Sequence, residues 1–424
     1  MKTCRSNPTS SKKHNLLVIA LIIAAFLGSF YAHKQRVPKR GYADFHCFYT
    51  AGEMLSKGEN IYVLRDQKAA EFRYAPVFAL LMSGLAFLNE DNADTLWYII
   101  NFCLLILSLM LLKKLVSPRS LQGKSLFIIY ALTLLGIFRF IQHNFDSGQS
   151  NILMLFSLIL GLYFILRDKE LPGGFILAFS AMIKYTPLIF IPYFIARRRL
   201  KLSLVIIFSI IIYLSLPGLF VGFKNNLLYL KSLPAFLTQS TIFDQMTVLD
   251  PKNQSLFSAI HRIFTYCIAY FYAPHMPFET SKLSPQAINL IFLASATVIY
   301  LAVFIPAKNQ LSSKINLLID CAQLLICVVL FNLNSWMHNY LLLSLAYFII
   351  AYYLASVRFK DLFVLILLLA SYALNIATLG PMFNETIRYK LQFYSPFTLS
   401  GLITFLALLK IKFLPRDEIK EPSN

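Results

Sequence analysis

Long apolar runs dominate this chain and leave it few folds. Each is about 17 to 22 residues long, and short loops rich in lysine and arginine separate them. At about 1.5 Å per residue a helix of that length crosses a hydrocarbon core. Backbone groups in lipid must find partners inside their own segment, which favours helices, and no alternating pattern of a barrel is present. The expected fold is all-α, a polytopic integral membrane protein of about 10–12 transmembrane helices with interfacial helices on the outer face.

Composition fits that class. The 424 residues are 58% hydrophobic and 14% charged, with a mean hydropathy of +0.63, where soluble domains average about a quarter charged. The net charge of +19 reads as positive-inside loops, and no nucleic-acid partner is expected. The six cysteines show no metal spacing. A phosphate loop, a G-x-G-x-x-G turn and an H-E-x-x-H zinc motif are all missing from the sequence.

Charge sets the expected topology. Lys2, Arg5, Lys12 and Lys13 place the start inside, and a retained first span covers 15–32. Residues 33–94 form a first outer loop with interfacial helices, in which Pro76 to Leu88 is too short to cross. Further spans fall at 95–112, 125–142 and 150–166. Segment 173–196 has basic loops at both ends and Lys184 and Pro187 in its middle. A pair of half-helices would keep both loops inside, whereas a single crossing would put one outside. Segment 223–284 is the second large outer segment. The spans after residue 200 fall at 202–222, 285–306, 314–332, 340–357, 361–380 and 395–413, all within a single transmembrane domain spanning 1–424.

This topology gathers Asp44, Arg73, His143, Asp146, Gln149, Asn253, Gln254, Arg262 and His338 on the outer face. Asp44 stands among Tyr42, Phe45, Phe48 and Tyr49, where partial desolvation raises a carboxyl and suits a general base. An ordinary helix-cap aspartate is the bland alternative. Arg73, in Glu71-Phe-Arg-Tyr-Ala-Pro76, suits a lipid phosphate or merely snorkels. Lys184 is costly in lipid, so it faces an anion or holds an ion pair, for which Asp320 is one partner. Asn253-Gln-Ser-Leu256 with Arg262, Gly148-Gln-Ser-Asn151 and Ser335-Trp-Met-His338 are polar groups that also suit ordinary loops and helix ends.

Taken in order, these segments resemble glycosyltransferase family 87 of the GT-C superfamily. Asp44-Phe-His-Cys-Phe-Tyr49-Thr-Ala51 is similar to its D-F-x-x-[FY]-Y-x-A pattern, Lys57 to Tyr62 to its G-x-x-x-Y turn, and Tyr74-Ala-Pro76-Val-Phe78 to Y-x-P-x-F. Gly148-Gln-Ser-Asn151, Lys184-Tyr-Thr-Pro187, Asn253-Gln-Ser-Leu256 and Ser335-Trp-Met-His338 follow in the family's order. The resemblance covers residues 41 to 340 and leaves the part after about 360 without a motif.

The resemblance implies an inverting transfer of a sugar, mannose above all, from a polyprenyl-phosphate donor to a glycan or glycolipid acceptor. It implies catalysis on the extracytoplasmic face of the cell membrane. Asp44 corresponds to the catalytic carboxylate; Lys184, Arg73, Arg262 and His338 would hold the donor phosphate. Tyr49, Tyr74, Gln149, Asn253 and Gln254 would contact substrate. His46 stands where some relatives carry a second acid, so no D-x-D metal site and no cofactor are expected. A transporter or lipid flippase, built around Lys184 and Asp320, is the alternative from another class.

Overall fold

The computed structural model of the chain describes residues 23–37, 41, 43–63, 71–116, 123–239, 245–264, 283–309, 311–378 and 384–413. Among these residues all regular structure is helical. The N-terminal lysines and arginine that orient the first span lie outside the described residues. Helix α1 covers residues 23–37, longer at its end than the expected span. The extra turn is held by acids: His33 Nε2 meets Asp94 at 2.9 Å, Lys34 pairs with Asp91 at 2.8 Å, and Arg36 pairs with Asp146.

Two short helices follow, α2 (Ala43–Ser56) and α3 (Pro76–Ser83). They pack backbone to backbone at Gly52, where an added Cβ would stand 2.6 Å from the Met82 carbonyl carbon. Long helices α4 (Glu90–Val116) and α5 (Gly123–Ser147) come next, then the shorter α6 (Asn151–Ile165) and α7 (Glu170–Ile183). After a break at Lys184, a 3-10 turn (Thr186–Ile189) leads into α8 (Phe190–Ala196). Helices α9 (Leu200–Ser215), α10 (Gly218–Val221), α11 (Phe223–Gln239), α12 (Gln245–Leu249) and α13 (Leu256–Phe264) follow. The last group is α14 (Pro285–Ala302), α15 (Ser313–Phe331), a 3-10 turn (Met337–Leu343), α16 (Ser344–Ser356), α17 (Leu362–Ile376), α18 (Glu385–Phe393) and α19 (Pro396–Lys412).

Starts of several late helices carry their own caps. Ser284, Ser312, Asp361 and Asn384 accept from the backbone N–H three residues on, so each satisfies a donor the helix cannot.

Six helices among the described residues are long and apolar enough to cross a membrane, or seven if the pair around Ser395, bent by 44°, counts as one span. The expectation was about 10–12. Helices α6, α7 and α17 are also apolar, with 15, 14 and 15 residues. The chain is nonetheless an all-α, multi-pass membrane protein. Met337–Ser356 is 83% buried within the protein and Pro285–Ala302 only 17%. The first is therefore the bundle's centre. The second, with Leu290, Leu293 and Val298 exposed, presents apolar side chains to lipid.

Segment 173–196 is two helices. Arg199 Nη2 pairs with Glu170 Oε1 at 3.2 Å, so the two ends of the excursion lie side by side while Lys184 sits at its far turn. Near that shared base, Asp320 accepts from Tyr193 (2.7 Å) and Arg197 (2.6 Å) and pairs with Lys412 (2.5 Å). Asp320 is thus committed to Arg197 and Lys412, and Lys184 finds a different partner.

Candidate functional site

Asp44 lies in the first turn of α2, where the N-terminal end of the helix favours a carboxylate. Its Oδ2 accepts a hydrogen bond from Gln149 Nε2, in the turn between α5 and α6. The approach depends on Gly148, whose φ of +61° belongs to the left-handed region. An added Cβ there would stand 2.6 Å from Phe45 Cβ. Trp97 Nε1 donates to the Gly148 carbonyl (2.9 Å) and its ring stacks near buried Phe45, so the turn is held from the α4 side as well.

Lys184 enters from the helix break. Its backbone is extended (φ −142°, ψ 137°), and Pro187 restarts the chain in the 3-10 turn. The ammonium donates to Asn339 Oδ1 at 2.7 Å and its positive charge reaches Asp44. The Tyr74-Ala-Pro76 block docks on the same break, with Ala75 N–H donating to the Met182 carbonyl. His338, beside Asn339, lies within electrostatic reach of Lys184 and of His143. The imidazoles meet Nδ1 to Nδ1 at 3.4 Å, which requires one to carry a proton there and the other to accept it. Asn144 fastens this arrangement, donating to the His338 carbonyl at 3.0 Å.

Burial holds the Asp44 carboxyl above its ordinary value, and the Gln149 hydrogen bond and Lys184 charge oppose that rise. Burial likewise pushes the Cys47 thiol up to about 12, with the Asp44 charge adding to it. The Tyr74 hydroxyl is raised by burial first and then by Asp44. Tyr74 and Cys47 therefore share the carboxylate's surroundings as neutral groups. Arg73 pairs with Glu71 (2.8 Å from Nε), and its charge is felt at Cys47 and Tyr74, which puts it at the rim.

The structure brings together Asp44, Gln149, Lys184, His338 and Tyr74, with Arg73 beside them. Four other candidates lie elsewhere. Tyr49 donates to the Leu88 carbonyl at 2.8 Å, tying α2 to the loop before α4. Arg262 is buried and gives its donors to the carbonyls of Asp250, Asn253 and Phe393 and to the hydroxyls of Ser258 and Ser395. A guanidinium bonded to three carbonyls and two hydroxyls clasps α13 to the segments around Asp250 and Phe393. Asn253 Nδ2 donates to the Leu333 carbonyl (2.9 Å), and its Oδ1 accepts from Ser335 N–H (3.0 Å). Gln254 donates to the Pro251 and Gln392 carbonyls, and its backbone N–H to Ser335 O at 2.7 Å. Both residues hold the start of the Ser335-to-Asn339 segment in place.

His46, on the α2 turn next to Asp44, pairs with Glu90 at 2.6 Å. Among the described residues no group of three or more His, Cys, Asp or Glu side chains could hold a metal ion. His143, which the expected topology gathers on the outer face, and Asn339 complete the cluster. Asn339 was not among the expected residues, and its place next to His338 in the sequence is the signal for it.

A family model for glycosyltransferase family 87 matches residues 72–330, more than half of the chain. The match takes in Arg73, Tyr74, Gln149 and Lys184, and lies between Asp44 and His338. No curated protein matches the chain.

Proposed function

The chain belongs to glycosyltransferase family 87, and on that premise we propose that it transfers a sugar, mannose in the first instance, from a polyprenyl-phosphate donor to a glycan or glycolipid acceptor. Membership of a transferase family favours this over the transporter or flippase alternative. The observation that carries the reading is the meeting of a half-buried, Gln149-bonded Asp44 with the Lys184 charge.

In this reading Asp44 is the general base. It takes the proton of the acceptor hydroxyl while that oxygen attacks the anomeric carbon from the face opposite the phosphate. The bond from the anomeric carbon to the phosphate oxygen breaks, and its electron pair stays on the departing polyprenyl phosphate. Lys184 and His338 supply positive or donor groups for the charge that develops there, and Arg73 lies within reach from the rim. Gln149 orients the carboxylate, and Tyr74 packs beside it. The exposed apolar sides of the bundle suit a prenyl tail lying between helix and lipid. The extracytoplasmic face of the cell membrane is the proposed side, because the basic loop at the Glu170–Arg199 base of the α7–α8 excursion is expected inside and Lys184 sits at the opposite turn.

The test is incubation of membranes holding the protein with radiolabelled polyprenyl-phosphate mannose. Label in a glycan or glycolipid supports transfer. Label that only crosses the bilayer, still on its carrier, would overturn it.

A further inference from the structure

A small cavity lies beside Gln149, between α4 and the turn that follows α5. It offers about 10 Å³ to the centre of a water-sized sphere, which is room for a single water. Two residues in its wall carry an oxygen that accepts no hydrogen bond among the described residues: Asn101 Oδ1 and Gln149 Oε1. Both side chains are buried, at 3% and 4% exposure. Other polar groups of the wall are paired. His33 Nε2 meets Asp94 at 2.9 Å, and Tyr98 donates to Ser29. Asn144 donates to the Phe140 and His338 carbonyls and accepts from Asn151.

A buried acceptor left without a donor is costly. Two such acceptors in the wall of one cavity need a molecule with two donor hydrogens, and the volume limits that molecule to water. The donor ends of the same two amides are already used. Asn101 Nδ2 donates to the Trp97 carbonyl at 2.9 Å, and Gln149 Nε2 donates to Asp44. Asn101 stands one helical turn after Trp97 on the same face of α4, and Trp97 already holds the Gly148 carbonyl. The two ends of an amide are rigidly coupled. A hydrogen bond to Gln149 Oε1 therefore fixes the direction in which Nε2 points at Asp44.

We infer that one buried water bridges Asn101 Oδ1 and Gln149 Oε1, which makes Asn101 a positioning residue for Asp44. The inference deepens the transfer reading above and rests on it only for what Asp44 does in the reaction. Without the bridge the Gln149 amide turns toward any donor that reaches Oε1, and its bond to the carboxylate weakens. Gln149 favours the ionised carboxyl, so Asp44 then holds a proton more tightly.

Asn101→Val and Asn101→Thr have the same shape and differ by one hydroxyl. A threonine hydroxyl on a helix can donate to the carbonyl four residues back, as Thr133 does to Ile129, and still accept from a water. Both variants keep Lys184, Cys47 and Tyr74 around Asp44, and His33 and Asp94 in the cavity wall. Asp44 protonation is followed by infrared spectroscopy during an acid titration in detergent, as the carboxyl band that Asp44→Asn removes. Asn101→Val is expected to raise the proton affinity by about threefold or more, and Asn101→Thr to leave it at the wild-type value. In a Gln149→Leu background Asn101→Val should add nothing, because the bridge acts through Gln149. Equal affinities in the two Asn101 variants, or a valine effect that persists without Gln149, overturns the bridge. Asn101→Leu, which also lacks an acceptor, takes the place of Asn101→Val should that protein fail to accumulate. The band needs no turnover, so a fully active Asp44→Asn protein would remove the proposed base and leave this water in place.

Discussion

Gln149 donates a side-chain hydrogen bond to Asp44 across 105 residues of sequence. That bond joins the turn after α5 to the first turn of α2, and in the proposed reaction it decides which carboxylate oxygen meets the acceptor hydroxyl. The other contacts of the cluster support this one: Gly148 lets the turn approach, Lys184 faces it, and the Ser335-to-Asn339 segment holds Lys184.

Asp44→Asn should lower sugar transfer by on the order of 10²- to 10⁴-fold, the usual worth of a general base. The amide keeps the shape of the site, so the protein should still accumulate in membranes. Radiolabel incorporation checks the first point and immunoblotting the second. Undiminished transfer would falsify the assignment of the base.

The rate should fall in acid as Asp44 takes up a proton. Burial raises its folded value above the ordinary 3.8, so the acid limb of kcat/KM should lie above that pH. Gln149 and Lys184 both favour the ionised carboxylate. Removing either, as in Gln149→Leu or Lys184→Met, should move the limb to higher pH in the residual activity. A shift to lower pH in both variants would exclude Asp44 as the titrating group.

Gly148→Ala should cost roughly 1–3 kcal/mol for the left-handed backbone alone. It also drives a Cβ to 2.6 Å from Phe45 Cβ, which the start of α2 cannot yield to without moving Asp44. Thermal unfolding in detergent should drop, and transfer should drop further than stability alone explains. Wild-type activity and stability together would show that the turn tolerates the methyl group.

Arg262→Met should destabilise by about 3 kcal/mol or more, since several buried carbonyls and hydroxyls lose their donor. Any protein that folds should keep its KM for the lipid donor. A raised KM with unchanged thermal stability would return Arg262 to the phosphate.

Lys169→Cys and Lys201→Cys should react with a membrane-impermeant maleimide from the same side. Both positions are exposed, and the Glu170–Arg199 pair holds their loops together. Labelling from opposite sides would contradict the two-helix excursion.

Hydropathy alone was enough to recognise the helical membrane class, because an apolar run in lipid has almost no alternative to a helix. The motifs around Asp44, Tyr74, Gln149, Lys184 and His338 were also legible as polar or charged groups in sequence that is otherwise apolar. Their grouping followed from one assumption, that they share a face. Arg262, Asn253 and Gln254 were singled out for the same reason. A sequence lists an arginine's donors but not whether backbone carbonyls already occupy them. Lys184 and Pro187 marked the break of segment 173–196 in the sequence itself, because a charge and a proline are both costly inside a membrane helix.

From residue order alone, then, came the helices, their lipid-compatible surfaces and a short set of polar groups too costly to leave in hydrocarbon. Only the folded arrangement decided which of these meet. Asp44 and Gln149, Lys184 and Asn339, Arg262 and Phe393 are each separated by more than 100 residues. Such pairings follow from how helices pack and where they break, not from any local preference of the chain. Burial then sets the chemistry: the packed bundle raises the Asp44 carboxyl above the value it has in water.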